Sequence, residues 1–174
     1  MIAAIHGNCL GGGMQIALGA DIRFAAPDAK LSVRETNWGL VPDMGITSTL
    51  PRLVPIDVAK EVVYTGRIFS GADGLELGLV THVADDPLAA AYELAREIAG
   101  RSPDAIRSAK KLLDTTWQSN VPEKDLLLET ELQVALIGTP NQMEAVMSGL
   151  KKEDPDFTDP PPAGAEKART IGFA

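Results

Sequence analysis

Cysteine is almost absent from this chain. Cys9 is the only one, so there is no internal disulfide framework, and a reducing compartment, expected to be the cytoplasm, fits. Two histidines and one thiol offer no metal-ligand spacing, and no metal is expected. Basic runs are missing as well. With 16 Lys and Arg against 24 Asp and Glu, the formal charge is −8 and the pI about 4.7, and nothing interleaves basic with aromatic residues, which argues against a nucleic-acid partner. Charged side chains are wholly missing from the first twenty residues, which raises the question of a signal peptide or membrane span. Glycines at 7, 11, 12, 13 and 19, with His6, Asn8 and Gln15, break up the apolar run, and the first basic residue, Arg23, lies on the wrong side of it. No membrane partner is expected. What is present is ordinary: 174 residues, 45% hydrophobic, enough for one domain or a core with an appended helical part.

The chain reads in two textures. Residues 1–6 predict a buried strand, 7–13 a turn and 14–20 a short helix. Strand-like pieces follow at Ile22–Ala25 and Leu31–Val33, split by Pro27-Asp28. Residues 35–45 form a loop broken by Gly39, Pro42 and Gly45. Two short helical segments come next, the second from about Pro55 to Thr65 with Gly66 as its stop. Ser70 caps a small helix, Gly71–Leu77, before a strand at Leu79–Val83.

From Pro87 the pattern is helical only. Leu88, Ala91, Tyr92, Ala95 and Ile98 share one face, and Ser102-Pro103 starts a second helix. A third is predicted over Asn120–Ile137. Thr139-Pro140-Asn141-Gln142 reads as a capping box ahead of Met143, Val146, Met147 and Leu150. Residues 1–84 are thus an α/β core, 85–150 a helical annex, and 151–174 a tail expected to be loosely ordered. Met1 opens directly into a buried-strand pattern, whereas chain ends are usually solvated, so sequence upstream is expected to be missing.

The triplet Gly11-Gly12-Gly13 at the mouth of the first helix asks for a ligand. A Walker loop needs Gly-Lys-Ser/Thr after the glycines, and Met14-Gln15 stands there. A dinucleotide fingerprint starting at Gly11 needs a glycine where Ile16 stands. Two uses remain: a tight strand-to-helix turn with no ligand, or backbone N–H groups aimed at an oxygen that becomes negative during a reaction.

The ordered string "IAAIHGNCLGGGMQIALGADIRFAAPDAKLSVRETNWGLVPDMG", continuing through "LPRLV" and "VVYTGRIFSGADGLELGLVTHV", resembles the crotonase superfamily of enoyl-CoA hydratases and isomerases. The resemblance is dense over residues 2–84 and looser through the annex. It implies an α/β fold, a crotonase-like β-β-α superhelix shortened at its N-terminus, followed by helices that assemble a homo-oligomer, a trimer or dimer of trimers. It also implies an acyl-CoA substrate, coenzyme A being part of that substrate, with no separate cofactor. The middle glycine, Gly12, corresponds to the family's thioester-oxygen donor. The second donor belongs to a segment upstream of this chain. Gly11, Gly13, Trp38 and Leu40 fall on the substrate-binding side, although core or loop packing accounts for Trp38 equally well.

Two glutamates commonly serve hydration in that family. The first corresponds to Gln15, which cannot exchange protons at neutral pH but can orient a water. The second corresponds to Glu35, the expected base. Asp43 resembles the aspartate of the dienoyl-CoA isomerase branch, while helix capping is the plainer explanation. One base with an oxyanion hole suits isomerisation at least as well as hydration. His6, His82 and Cys9 are expected to be structural, and Lys110-Lys111 a solvated pair. The leading expectation is an enoyl-CoA hydratase (a lyase) or isomerase of fatty-acid or related acyl-CoA metabolism. The alternatives are a truncated, non-catalytic crotonase-like protein that only binds or oligomerises, and a generic oligomerising α/β domain.

Overall fold

The computed structural model describes residues 1–160, and the chain divides into two units, Met1–Arg96 and Glu97–Ala174. In the first unit the short apolar runs are too brief for helices and pair as strands. Strand β1 (Ile2–Ile5) turns at His6-Gly7 into β2 (Asn8–Leu10), and α1 (Gly12–Leu18) follows. The unit then repeats: β3 (Ile22–Ala25) turns through Pro27-Asp28 into β4 (Lys30–Ser32). Each such turn delivers one strand to each of two sheets. The first sheet is β1-β3-β6, parallel throughout, with Ile2 opposite Ile22 and Phe24 opposite His82 of β6 (His82–Val83). The second is β2-β4-β5, with Asn8 parallel to Lys30 and β5 (Phe69–Ser70) antiparallel to β4. Bonds from Ala26 N–H to the Ile5 carbonyl (2.8 Å) and Lys30 N–H to the Gly7 carbonyl (2.7 Å) set the second corner against the first.

Helices α2 (Ile46–Thr49), α3 (Ile56–Thr65), α4 (Gly71–Glu76) and α5 (Pro87–Ala99) complete this part of the chain. The core gathers Met14 and Leu18 of α1, Leu31 and Val33 around β4, and Val62, Leu79 and Val80. Arg23 is buried among them. Its guanidinium donates to the carbonyls of Leu79 (2.8 Å) and Ala20 (2.6 Å), tying β3 to the chain leading into β6. Burial lowers its pKa, and Asp21 pulls in the opposite direction.

Several local expectations change. Residues 7–13 are not a single turn, since three of them form β2 and α1 begins at Gly12 rather than Met14. Of Leu79–Val83 only the last two residues join a ladder, because the N–H groups of Leu79 and Val80 are taken by the Gly74 carbonyl. Ser70 caps α4 in a full box with Asp73, and it also ends β5, which the sequence pattern had not suggested. Asp43 is no helix cap, since Gly45 precedes α2. On α5 the expected face is split: Ala91 is buried while Leu88 and Tyr92 are exposed.

The second unit holds α6 (Pro103–Thr116), α7 (Pro122–Leu136) and α8 (Pro140–Lys151). Ser102 and Thr139 cap α6 and α8 by accepting from Ala105 and Gln142 N–H, but the Gln142 side chain accepts from Gly138 N–H instead of closing the box. Asn141 is buried. It donates to Asp104 (2.7 Å) and the Thr158 carbonyl (2.8 Å) and accepts from Thr158 N–H, fastening the stretch after α8. Asp156 N–H adds a bond to Glu144. The tail expectation otherwise concerns residues beyond 160, outside those described. An open groove of about 490 Å³ lined by Leu112, Glu129, Thr130, Gln133 and Val134 lies in this unit and contains no residue singled out above. Among the described residues no helix is long and apolar enough to cross a membrane.

Candidate active site

The glycine triplet carries the chain out of β2 into α1 by a route that side chains resist. Gly11 has φ +55°, and its N–H is held by the Ser32 carbonyl at 2.8 Å. A Cβ at Gly11 would lie 3.5 Å from Glu35 Oε1, and one at Gly12 only 2.6 Å from the Met44 sulfur. The first is an ordinary contact, so Gly11 is required by its positive φ, while at Gly12 the backbone approaches the Met44 side chain more closely than a substituted residue could unless that side chain moved. Gly12 and Gly13 open α1, so their N–H groups have no acceptor within the helix, and Gly11 supplies no side-chain cap. Space around Gly13 is open.

Glu35 begins a 3₁₀ turn (Glu35–Trp38) directly after the buried end of the β4 segment. That turn is pinned to α3 by the Thr36 hydroxyl donating to the Val63 carbonyl at 2.7 Å, and closed by Leu40 N–H on the Glu35 carbonyl. Glu35 Oε1 accepts from Gln15 Nε2 at 2.6 Å. Gln15 Oε1 in turn accepts from Met44 N–H at 2.8 Å, and Gln15 is only 1% exposed. Glu35 Oε2 is shielded from solvent and has no hydrogen-bond partner among the described residues. A buried acceptor of this kind calls for an explanation, and a catalytic role is one.

The structure brings Gly11, Gly12, Gln15 and Glu35 together. It places Trp38 at the end of the 3₁₀ turn and Leu40 just beyond it, 76% and 63% exposed, on a stretch from residue 36 to 42 with no charged side chain. Asp43 is exposed and makes no hydrogen bond to Glu35 or Gln15. His6 is exposed, and the His82 ring packs on Phe24 with centroids 4.8 Å apart. Burial raises the Cys9 thiol pKa, and Lys110 pairs with Asp114 at 3.1 Å. No group of three or more potential metal ligands occurs among the described residues. Met44 was not foreseen. Its backbone N–H anchors Gln15 and its thioether lies over Gly12, and a main-chain donor leaves no mark in residue type.

The family model described as enoyl-CoA hydratase/isomerase matches residues 1–160. The chain belongs to the enoyl-CoA hydratase/isomerase family. Its β-β-α turns and helical continuation are accordingly those of the crotonase fold. It is 36% identical over 162 residues to mouse enoyl-CoA hydratase domain-containing protein 2, mitochondrial, covering 90% of this chain and 54% of that protein. To mouse methylglutaconyl-CoA hydratase, mitochondrial, it is 33% identical, covering 90% and 51%. The enoyl-CoA hydratase of Bacillus anthracis superposes with a TM-score of 0.85 at 35% identity, over 90% of this chain and 61% of that one. The chain spans about half the length of these two mouse relatives.

Proposed function

We propose that the chain acts on acyl-CoA thioesters as an enoyl-CoA hydratase or isomerase, with Glu35 as the base and Gly12 N–H as an oxyanion donor. Removing a proton alpha to a thioester pushes electron density onto the carbonyl oxygen. A preorganised N–H aimed at that oxygen is worth roughly 10²–10³ in rate. The observation that carries the reading is Glu35 beside the glycine turn, one oxygen tied to Gln15 and the other, Oε2, buried and free. Gly11, Gly13, Trp38 and Leu40 are assigned to the acyl chain, the last two because they are exposed apolar groups next to Glu35. Asp43 is assigned an auxiliary role in proton shuttling. A second oxyanion donor comes from the part of the family's length that this chain does not span. The site takes coenzyme A as part of its substrate and uses neither metal nor redox cofactor.

The apolar side chains Leu126, Leu127 and Val134 of α7, and Met143, Val146, Met147 and Leu150 of α8, are exposed. Such faces support assembly into a homo-oligomer, a trimer or dimer of trimers by family resemblance. The location proposed is the cytoplasm. The same exposed faces suit one second reading, a non-catalytic crotonase-like protein that only binds or oligomerises.

The test is turnover of crotonyl-CoA and of a 3-enoyl-CoA, followed by the absorbance of the conjugated thioester. Glu35→Gln should lower an observed rate by about 10²–10⁴. An unchanged rate removes Glu35 as the base, and absence of both turnover and coenzyme A binding supports the second reading.

A further inference from the structure

Glu35 stands on a short 3₁₀ turn, and such a turn has few internal bonds with which to hold its own place. Two hydroxyls bracket it and supply the hold from outside. Ser32, at the end of β4 and fully buried, donates to the Gly66 carbonyl at 2.9 Å. Thr36, directly after Glu35, donates to the Val63 carbonyl at 2.7 Å. Both acceptors lie at one place, the C-terminal end of α3. The last carbonyls of a helix lack an intrahelical partner, so Val63 is open to a donor from elsewhere. Gly66 ends that helix with φ +53°, and a Cβ there would fall 1.8 Å from Asn37 Oδ1 and 3.2 Å from Thr36 Oγ1. The exposed Asn37 amide can swing aside, but the left-handed φ resists any L side chain. The seat itself is firm, because Val62 of α3 is fully buried and Val58, Ala59 and Val63 pack against the same core.

We propose that Thr36 and Ser32 are positioning residues that seat the turn bearing Glu35 on the end of α3, and so fix where its carboxyl stands beside the glycine turn. This rests on the reading of Glu35 as base. The carboxyl head is held at Oε1, which accepts from Gln15 at 2.6 Å and lies 3.5 Å from where a Cβ on Gly11 would be. A glutamate held only by its head can still slide with its backbone. The two hydroxyls hold that backbone, so both ends of the side chain are fixed before any substrate arrives. Misplacing a reacting group by about 1 Å costs on the order of 10² in rate, so a looser seat is read in kcat.

The experiment uses the full chain and whichever of crotonyl-CoA and a 3-enoyl-CoA it turns over, with each variant checked for folding by circular dichroism. Thr36→Val keeps the shape and removes the donor. It should lower kcat about 10- to 100-fold with KM within about two-fold. Thr36→Ser, which keeps the hydroxyl, should bring kcat back to within about three-fold of wild type. The control is Thr65→Val at the same end of α3. The Thr65 hydroxyl donates back to the Glu61 carbonyl at 2.7 Å, so its loss should leave kcat within about two-fold. A second readout needs no turnover. In ¹⁵N-labelled protein the Gln15 side-chain NH₂ resonance reports its bond to Glu35, and it should move in Thr36→Val and stay in Thr65→Val.

A folded Thr36→Val with wild-type kcat, an unmoved Gln15 resonance in that variant, or a Thr36→Ser as slow as Thr36→Val each overturns the proposal while leaving Glu35 as base. So does a Thr65→Val as slow as Thr36→Val, since any damage to the end of α3 would then suffice. Should Thr36→Val fail to fold, Ser32→Ala is judged by the same kcat and resonance criteria. A wild-type chain inert towards both substrates overturns the base and the proposal with it.

Discussion

Gly71→Ala is the sharpest test of how the two sheets are locked together. A Cβ built on Gly71 falls 2.0 Å from the carbonyl oxygen of Ala26, 3.1 Å from its carbonyl carbon and 3.2 Å from Ala25 Cβ. A carbon–oxygen contact needs about 3.3 Å, so the corner between β3 and β4 must retreat by about 1.3 Å. Both obstacles closest to the new methyl are backbone atoms, which cannot swing away as a side chain tip does. Over-packing usually costs about 1–3 kcal/mol, and a backbone obstacle belongs at the upper end. The Ala72 N–H bond to the Pro27 carbonyl, 3.2 Å long, is strained by the same movement. A loss of about 3 kcal/mol results. With a urea slope of about 1–3 kcal/mol/M, the midpoint falls by roughly 1–3 M.

The contrasting substitution is Gly13→Ala, where the added methyl meets nothing within 4 Å in a helical backbone. It should stabilise by up to about 1 kcal/mol. Urea denaturation followed by circular dichroism reads both. If Gly71→Ala kept its midpoint within about 0.2 M of wild type at an unchanged slope, the close approach of α4 to the β3–β4 corner would be refuted.

Three further outcomes are expected. The Ser70 backbone N–H, and then its hydroxyl, hold the Asp73 carboxyl below its usual pKa, so Asp73 contributes stability above the ordinary aspartate range that disappears as pH falls through its depressed folded value. Thermal midpoints measured against pH should flatten over that acidic window in Asp73→Asn and keep their slope in wild type. Asn141→Ala removes the bonds to Asp104 and Thr158 and should cost about 1–3 kcal/mol, with limited proteolysis cutting near Phe157 faster than in wild type. Cys9, its thiol pushed up by burial, should react slowly with iodoacetamide at neutral pH and fast only in denaturant, as thiol counting over time will show.

Much of the first unit is legible in its residues because its signals are local. Ile2–Ile5 and Ile22–Ala25 are short apolar runs between breakers, and Gly66 follows α3 in the left-handed conformation that ends helices. Elements held together by ladders two or three residues long escape such reading. Asn8–Leu10 and Phe69–Ser70 are strands only because β4 lies between them, and pairing partners some twenty to forty residues away leave no periodicity nearby. The site divides in the same way. Glu35 and the triplet are visible as residue types. The contribution of Met44 is a main-chain N–H, and the engagement of both ends of Gln15 exists only once three segments have been brought together. On α8 the apolar spacing of Met143, Val146, Met147 and Leu150 is plain, but spacing identifies a face without saying what covers it.

Ser70 belongs to two elements at once. Its backbone lies opposite Lys30 at the end of β5, while its hydroxyl and N–H close the capping box of α4. No spacer separates sheet from helix, and hence there is no hinge about which one could open while the other stayed shut. Amides in β5 and in α4 should therefore lose their protection in one opening event, and thermal fraying of this helix pulls an edge strand with it.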